Sequence, residues 1–359
     1  MNTVFQNLEN IGKRFPFFIR KEFNAFLDCG ILANGFLRLK CTSCGEENLL
    51  AFSCKKRGFC SLCGGRRMAE SSAHLVDNVF PDQPLRQWVL SFPYNLRYVF
   101  AYNGKALHLA LQIMIRIIDR YYINKGKNIH GFKGKTGAVT LIQRFGGHLN
   151  LNPHFHVLYL DGIYNDDGKF FEVNIPNEQE MAEIILKIKK RVFRSLGEKG
   201  YINNYDINLE DDKIYNEYPG LFEILNASIQ NRIYLEAKTK DKIESIGGIS
   251  SLWVETRGAR CVYKDGFSLH CNIRIGKNDL KGRERLCRYI ARPSISQKRL
   301  KLSEDGKWCE YRLRRSWSNG THTIKFTSEE LIVKLIALIP PPKMNLTRYH
   351  GVLAPNASI

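Results

Sequence analysis

The 359-residue chain is 44% hydrophobic, enough for a substantial core, and long enough for roughly two to three domains. Its 54 Lys and Arg against 35 Asp and Glu leave a net charge of +19, which calls for a polyanionic partner: nucleic acid or an anionic membrane surface. Apolar runs such as "LIVKLIALI" at 331–339 are too short to span a bilayer, and "MNTVFQNLEN" lacks the basic-then-apolar order of a signal peptide, so a soluble cytoplasmic protein acting on nucleic acid is expected.

Six of the ten cysteines, Cys29, Cys41, Cys44, Cys54, Cys60 and Cys63, precede residue 64, which marks a small N-terminal module over 1–80. In a reducing compartment such clustering argues for metal rather than disulfides. Cys41-x2-Cys44 and Cys60-x2-Cys63, with 15 residues between them, have the spacing of two zinc knuckles. That spacing predicts one structural Zn²⁺ on these four thiolates, with Cys29 and Cys54 left over. A glycine follows each knuckle, Gly45 and Gly64, where a tight turn favours it. On this reading chelation unfolds the module and leaves the later domain intact. Arg57, Arg66 and Arg67 beside the site suit a phosphate backbone.

A larger second domain is expected over 81–310, with a helical insertion at about 177–245, and a C-terminal extension over 311–359. "RQWVLSFP" at 86–93 reads as a buried strand, and the following run is helical in period with a break at Gly104. Arg86 and Arg97, interleaved with Trp88, Phe92, Tyr94 and Tyr98, offer a way to hold unpaired bases by charge and stacking, although core packing is the stronger reading for Trp88 and Phe92. "AVTLIQRF" at 138–145 is a second strand.

"NLNPHFHVLYLDG" at 150–162 is a third, and it places His154 and His156 on one face because residues two apart on a strand point the same way. Two imidazoles that converge form half of a divalent metal site. If 138–145 and 154–160 pair as a hairpin, Gln143 lies level with them as a third ligand; His148 in the connection competes for that role.

Beyond this, Asn177 and Glu180 form a capping box at the start of a helix with Met181, Ile184, Ile185, Ile188 and Val192 inward. "SLHCNIRI" at 268–275 alternates as a strand, 279–292 is a short helix stopped by Pro293, and a last helix runs from Thr327 to the prolines at 340–342. Mixed elements with hairpin connections predict an α+β fold on an antiparallel sheet.

The segments "FSCKKRGFCSLCGGRRMAE", "RQWVLSFPYNLRYVFAY", "NLNPHFHVLYLDGIY", "LCRYIARPSIS" and "LTRYHGVLAPN" occur in this order over nearly the whole chain. Together they resemble the rolling-circle transposases of insertion-sequence family 91, in the HUH endonuclease superfamily. The resemblance implies an HUH-type antiparallel sheet flanked by helices, behind a zinc-ribbon-like N-terminal module. It implies that His154 and His156 hold Mg²⁺ or Mn²⁺ and that Tyr289 attacks a single-stranded DNA phosphate to give a 5′-phosphotyrosine. Arg292, one turn after Tyr289, can face the same phosphate. Implied partners are single-stranded DNA at element ends and target, and the host replication machinery. Founding members carry two tyrosines four residues apart; here the earlier position is Arg285, so Tyr289 acts twice or two protomers each contribute one. Two alternatives stay open: a non-catalytic zinc-ribbon DNA binder or decayed transposase, and a plasmid replication initiator or relaxase. Tyr349 is the competing nucleophile.

Overall fold

The computed structural model describes residues 2–10, 14–203, 206, 207, 209, 212–232, 254–314, 316 and 320–357. Helices α1 (Asn2–Asn10) and α2 (Phe17–Leu27) lead to a hairpin of β1 (Phe36–Lys40) and β2 (Glu47–Ala51), then to α3 (Ser61–His74). β3 (Leu85–Ser91) precedes α4 (Tyr94–Tyr102) and α5 (Gly104–His130). The break between them falls at Asn103, whose side chain accepts from the N–H groups of Lys105 and Ala106 and caps α5. β4 (Gly137–Phe145), β5 (Leu151–Leu160) and the hairpin β6 (Gly162–Tyr164) with β7 (Phe170–Glu172) follow. Next come α6 (Glu178–Glu198), β8 (Ile202–Asn203), β9 (Asp206–Ile207), α7 (Lys213–Glu217) and α8 (Pro219–Ile229). The Asn177–Glu180 capping box of α6 is formed as expected. The part of the expected insertion beyond 232 lies outside the described residues.

β10 (Glu255–Thr256), β11 (Cys261–Lys264), β12 (Phe267–His270) and β13 (Arg274–Ile275) lead to α9 (Leu280–Ile290). A three-stranded sheet of β14 (Leu300–Leu302), β15 (Cys309–Arg312) and β16 (Thr323–Phe326), helix α10 (Ser328–Leu338) and β17 (Thr347–Gly351) complete the chain. The main sheet runs β10-β11-β12-β3-β5-β4-β17, with β13 also on β3, and every pairing is antiparallel. The α+β architecture is therefore the one the sequence predicts. β17 adds the edge strand, so the C-terminal residues complete the central sheet.

Period-two alternation gives the sheet two cores. On one face Trp88, Leu90, Phe92, Phe155, Val157 and Tyr159 pack against α5 and α6. On the other, Leu85, Val139, Leu141, Leu158 and Leu160 meet Leu75 and Phe80 after α3 and Leu286, Cys287 and Ile290 of α9. His154 and His156 belong to this second face.

Arg86 lies on the first face and is fully buried. It donates to both carboxylate oxygens of Asp161 (2.8 and 2.7 Å) and to Cys271 O (3.0 Å). Tyr122 Oη and Arg274 Nε also donate to Asp161, at 3.0 Å each. The expectation that Arg86 meets DNA is thus corrected: alternation turns it into the core. Trp88, Phe92 and Tyr98 are likewise buried, which leaves Tyr94, with Arg97 4.5 Å over its ring, as the exposed aromatic. Asp161→Ala strands a buried guanidinium and is expected to cost about 3–5 kcal/mol. Urea unfolding measures this, and a loss under 1 kcal/mol speaks against it.

The strand expected over 268–275 is split. His270 pairs with Val89 but Arg274 with Arg86, so four steps on one strand oppose three on the other. The extra residue is a bulge that flips the faces. Cys271 stays buried while Ile273, on the same side by simple alternation, is 39% exposed.

The N-terminal segment shares the first core rather than standing apart: Phe5, Leu8, Ile19, Phe23 and Phe59 belong to it. The boundary drawn at residue 80 does not correspond to a break in the core.

Candidate active site and metal centres

β5 sits between β3 and β4. His154 is level with Ser91 and Gln143, and His156 with Val89 and Leu141. Both imidazoles are buried, and their Nε2 atoms lie 3.1 Å apart. His154 Nδ1 is 2.6 Å from Asn152 O, a contact that requires Nδ1–H, so its Nε2 presents a lone pair. Gln87 fixes the other ring from 2.6 Å at His156 Nδ1, and its Oε1 is buried without a partner. Turning that amide over lets Oε1 accept from Nδ1–H and frees the second Nε2 lone pair. Two such lone pairs at 3.1 Å accept one cation at metal–nitrogen distances near 2.1 Å with an angle of roughly 95–100°. Gln143 Oε1 is also buried and unpartnered, level with His154, while its Nε2 donates to Ile290 O at 2.5 Å. The donor set fits a divalent ion. His148 lies in the β4–β5 connection, where burial, and then the charge of Lys334, lower its pKa.

α9 brings the tyrosine. Asp279 caps it, accepting from Gly282 N at 2.8 Å, and Leu286, Cys287 and Ile290 bury one face in the second core. Tyr289 is left at the rim, 42% exposed. Its ring centroid is 6.1 Å from that of His156, the planes at 89°. The Arg292 and Arg314 guanidinium carbons lie 5.0 and 5.6 Å from the tyrosine centroid. Tyr349, on β17, is level with Val139 and packs in the second core.

Four cysteines converge, but they are not the four predicted. The sulfurs of Cys29, Cys54, Cys60 and Cys63 lie within 4.8 Å of one another. Individual pairs are 3.6 Å (Cys29–Cys63), 3.5 Å (Cys54–Cys63) and 3.7 Å (Cys29–Cys60). A tetrahedral Zn²⁺ with bonds near 2.3 Å places its sulfurs roughly 3.8 Å apart, so the cluster fits zinc. Cys41 and Cys44 stand exposed at the tip of the β1–β2 hairpin, outside the cluster. The hairpin carries them away, while its return brings Cys54 beside Cys29; Cys54 N donates to Cys29 Sγ at 3.3 Å. Gly45 has the expected turn conformation at φ 76°. Gly64 is different: it lies in α3, and a Cβ there would come within 2.6 Å of Pro293 just beyond α9.

Comparison with family models gives two matches. Residues 137–358 match the family described as "Putative transposase", of the Y2 type, and residues 1–92 match a transposase zinc-binding domain of insertion-sequence family 91. The chain belongs to the insertion-sequence 91 transposases. No curated protein and no solved structure matches it. The zinc-binding match agrees with the cysteine cluster, and no helix among the described residues is long and apolar enough to cross a membrane.

In the transposase the two histidines are held neutral. Burial is the main cause for His154, and its pKa falls to about 4; the Asn152 hydrogen bond opposes this, and the charges of Arg292 and Arg97 add to it. Burial, then the neighbouring His154, Arg292 and His270, push His156 well down. In the unfolded chain both protonate near pH 6.5, so the unfolded state binds more protons between pH 6.5 and 4. Metal-free protein is therefore expected to lose stability as pH falls through that window, by about 3 kcal/mol for His154 alone. Denaturant titrations at pH 7 and 4.5 check this: His154→Gln should flatten the dependence, and an unchanged slope would remove the assignment.

The arginines divide. Arg66 is exposed, whereas Arg67 donates to Lys55 O and Lys56 O, and Arg57 to Met344 O. Arg57, Arg67, Lys56 and Arg292 line a cleft of about 330 Å³ that also reaches Gln143. Arg97 donates to Phe92 O at 2.7 Å. Sequence reasoning missed Gln87 and Arg314. Gln87 sits two residues before Val89, the partner of His156, and so shares the histidine face. Arg314 is distant in sequence, and nothing in its pattern points to Tyr289.

Proposed function

We propose that this transposase nicks and joins single-stranded DNA through a covalent 5′-phosphotyrosine on Tyr289, in rolling-circle transposition. The observation that supports this most is the exposed Tyr289 phenol beside two buried neutral imidazoles whose lone pairs converge. A binding protein needs no such arrangement.

A phenol with an ordinary pKa near 10 is a poor nucleophile at neutral pH. Arg292 and Arg314, close over the ring, are placed to hold the anionic phosphate for in-line attack. The Tyr289 oxygen bonds to phosphorus, the bond from phosphorus to the 3′ oxygen breaks, and that oxygen leaves as a 3′-OH after taking a proton. In the joining step a 3′-OH attacks the phosphotyrosine and Tyr289 leaves, so no ATP is required. Mg²⁺ or Mn²⁺ on His154, His156 and Gln143 would polarise a non-bridging phosphate oxygen. The basic cleft beside Arg292 offers a path for the strand, and the freed 3′-OH can prime a host polymerase in the bacterial cytoplasm.

The test is incubation of the full chain with single-stranded oligonucleotides spanning the element ends, in Mn²⁺. A protein–DNA adduct resistant to denaturant is expected, with the phosphate on Tyr289 by peptide mapping. Folded, zinc-loaded protein that binds DNA and forms no adduct is the non-catalytic alternative. An adduct confined to plasmid origin sequences supports the initiator or relaxase reading.

A further inference from the structure

The β1–β2 hairpin leaves a pattern that the active site does not use. Its register pairs Leu37 with Leu50 and Leu39 with Asn48, which puts Leu37, Leu39, Leu50 and Phe52 on one face by alternation. These four are 51%, 52%, 43% and 52% exposed. A two-stranded hairpin with an uncovered apolar face is marginal by itself, and a contiguous exposed patch of this kind marks an interaction surface. Cys41 continues the same alternation, and Cys41 N donates to Glu46 O at 2.8 Å across the ladder. Gly45 N closes the turn on Cys41 O at 3.0 Å, and the N–H groups of Ser43 and Cys44 point at the Cys41 sulfur. This is the shape of a metal knuckle that holds two ligands of four, and among the described residues no other metal-binding side chain completes it.

Two features bear on what completes it. Tetrahedral zinc needs two more ligands, and a second copy of the chain brings the same pair by two-fold symmetry. Residues 31–53 carry two basic and two acidic side chains, Arg38 and Lys40 against Glu46 and Glu47, in a chain of net charge +19. The hairpin is thus a neutral island, poorly suited to DNA and free of the repulsion that opposes self-contact elsewhere. We infer that two copies of this transposase dock through their β1–β2 hairpins, apolar face on apolar face, and share one zinc between Cys41 and Cys44 of each.

The test uses the full chain under a non-chelating reductant with zinc, by sedimentation velocity and elemental analysis. The expected species is a dimer with roughly 1.5 zinc per chain, one in each cysteine cluster and one shared. Cys41→Ser with Cys44→Ser should give a monomer with about one zinc per chain and an unchanged circular dichroism spectrum. Leu39→Asp, which keeps both thiols, should weaken the dimer by at least about tenfold. Four results overturn the inference: a monomer at every concentration, a dimer that survives the double serine substitution, a monomer with about two zincs per chain, or loss of DNA affinity in Leu39→Asp without change of oligomeric state.

Discussion

Tyr289→Phe is expected to abolish the covalent DNA adduct, by at least about 10³-fold, while fold and DNA binding stay as they were. The substitution removes only a hydroxyl. The ring stays, at the rim of α9, and the face of α9 that enters the second core is made by Leu286, Cys287 and Ile290. His156→Ala should also remove cleavage, but by a different route: it takes away one of two lone pairs and lowers metal affinity by at least roughly 10–100-fold. High Mn²⁺ should then restore part of the activity of the histidine variant and none of the phenylalanine variant. If the histidines were only core residues, their loss would cost stability and leave cleavage by folded protein intact. An adduct that persists in Tyr289→Phe transfers the role to Tyr349. Normal cleavage by His156→Ala in chelator removes the metal site.

Zinc removal is expected to have the second large effect, and to reach beyond the N-terminal segment. Structural zinc sites contribute on the order of 10–16 kcal/mol in small domains, comparable to the roughly 5–15 kcal/mol stability of a whole domain. The sequence suggests a module that unfolds alone. The structure instead buries Ile19, Phe23 and Phe59 in the main core and ties Gly58 both ways: its N–H donates to Glu22, and its carbonyl accepts from Ser294 Oγ at 2.9 Å. Chelation, or Cys63→Ser, should therefore lower the melting temperature of the chain in one transition and remove the adduct. Added Mn²⁺ should not restore it; added Zn²⁺ should restore the chelated wild type. Two separate transitions, with adduct formation regained in Mn²⁺ alone, would sink this expectation.

Much of the site is legible in the sequence because it follows local periodicity. His-x-His on a strand fixes a shared face whatever the rest of the fold does, and Gln143 falls level with His154 once the two strands pair. The α6 cap at Asn177 is equally local. What escapes is set by long-range geometry. Cys29 and Cys54 join the cluster because a hairpin between them folds back, and spacing alone favours the nearer CxxC pairs. Arg86 reads as a DNA contact from its charge and neighbours, yet Asp161, 75 residues away, draws it inward. The bulge that splits 268–275 leaves a perfect alternation in the sequence, so no pattern betrays it. Arg314 meets Tyr289 only through the path of the chain beyond α9.

The contact of Gly64 with Pro293 has a consequence for how such transposases are recombined by evolution or by design. The segment that carries the zinc also forms the seat on which the end of the tyrosine helix rests. A chimera that exchanges residues 1–92 between relatives would give the helix that carries Tyr289 a foreign seat. Exchanges that carry residues 290–294 along with the donor's glycine should keep the tyrosine in register; those that cut between them should yield chains that bind zinc and DNA and do not cleave.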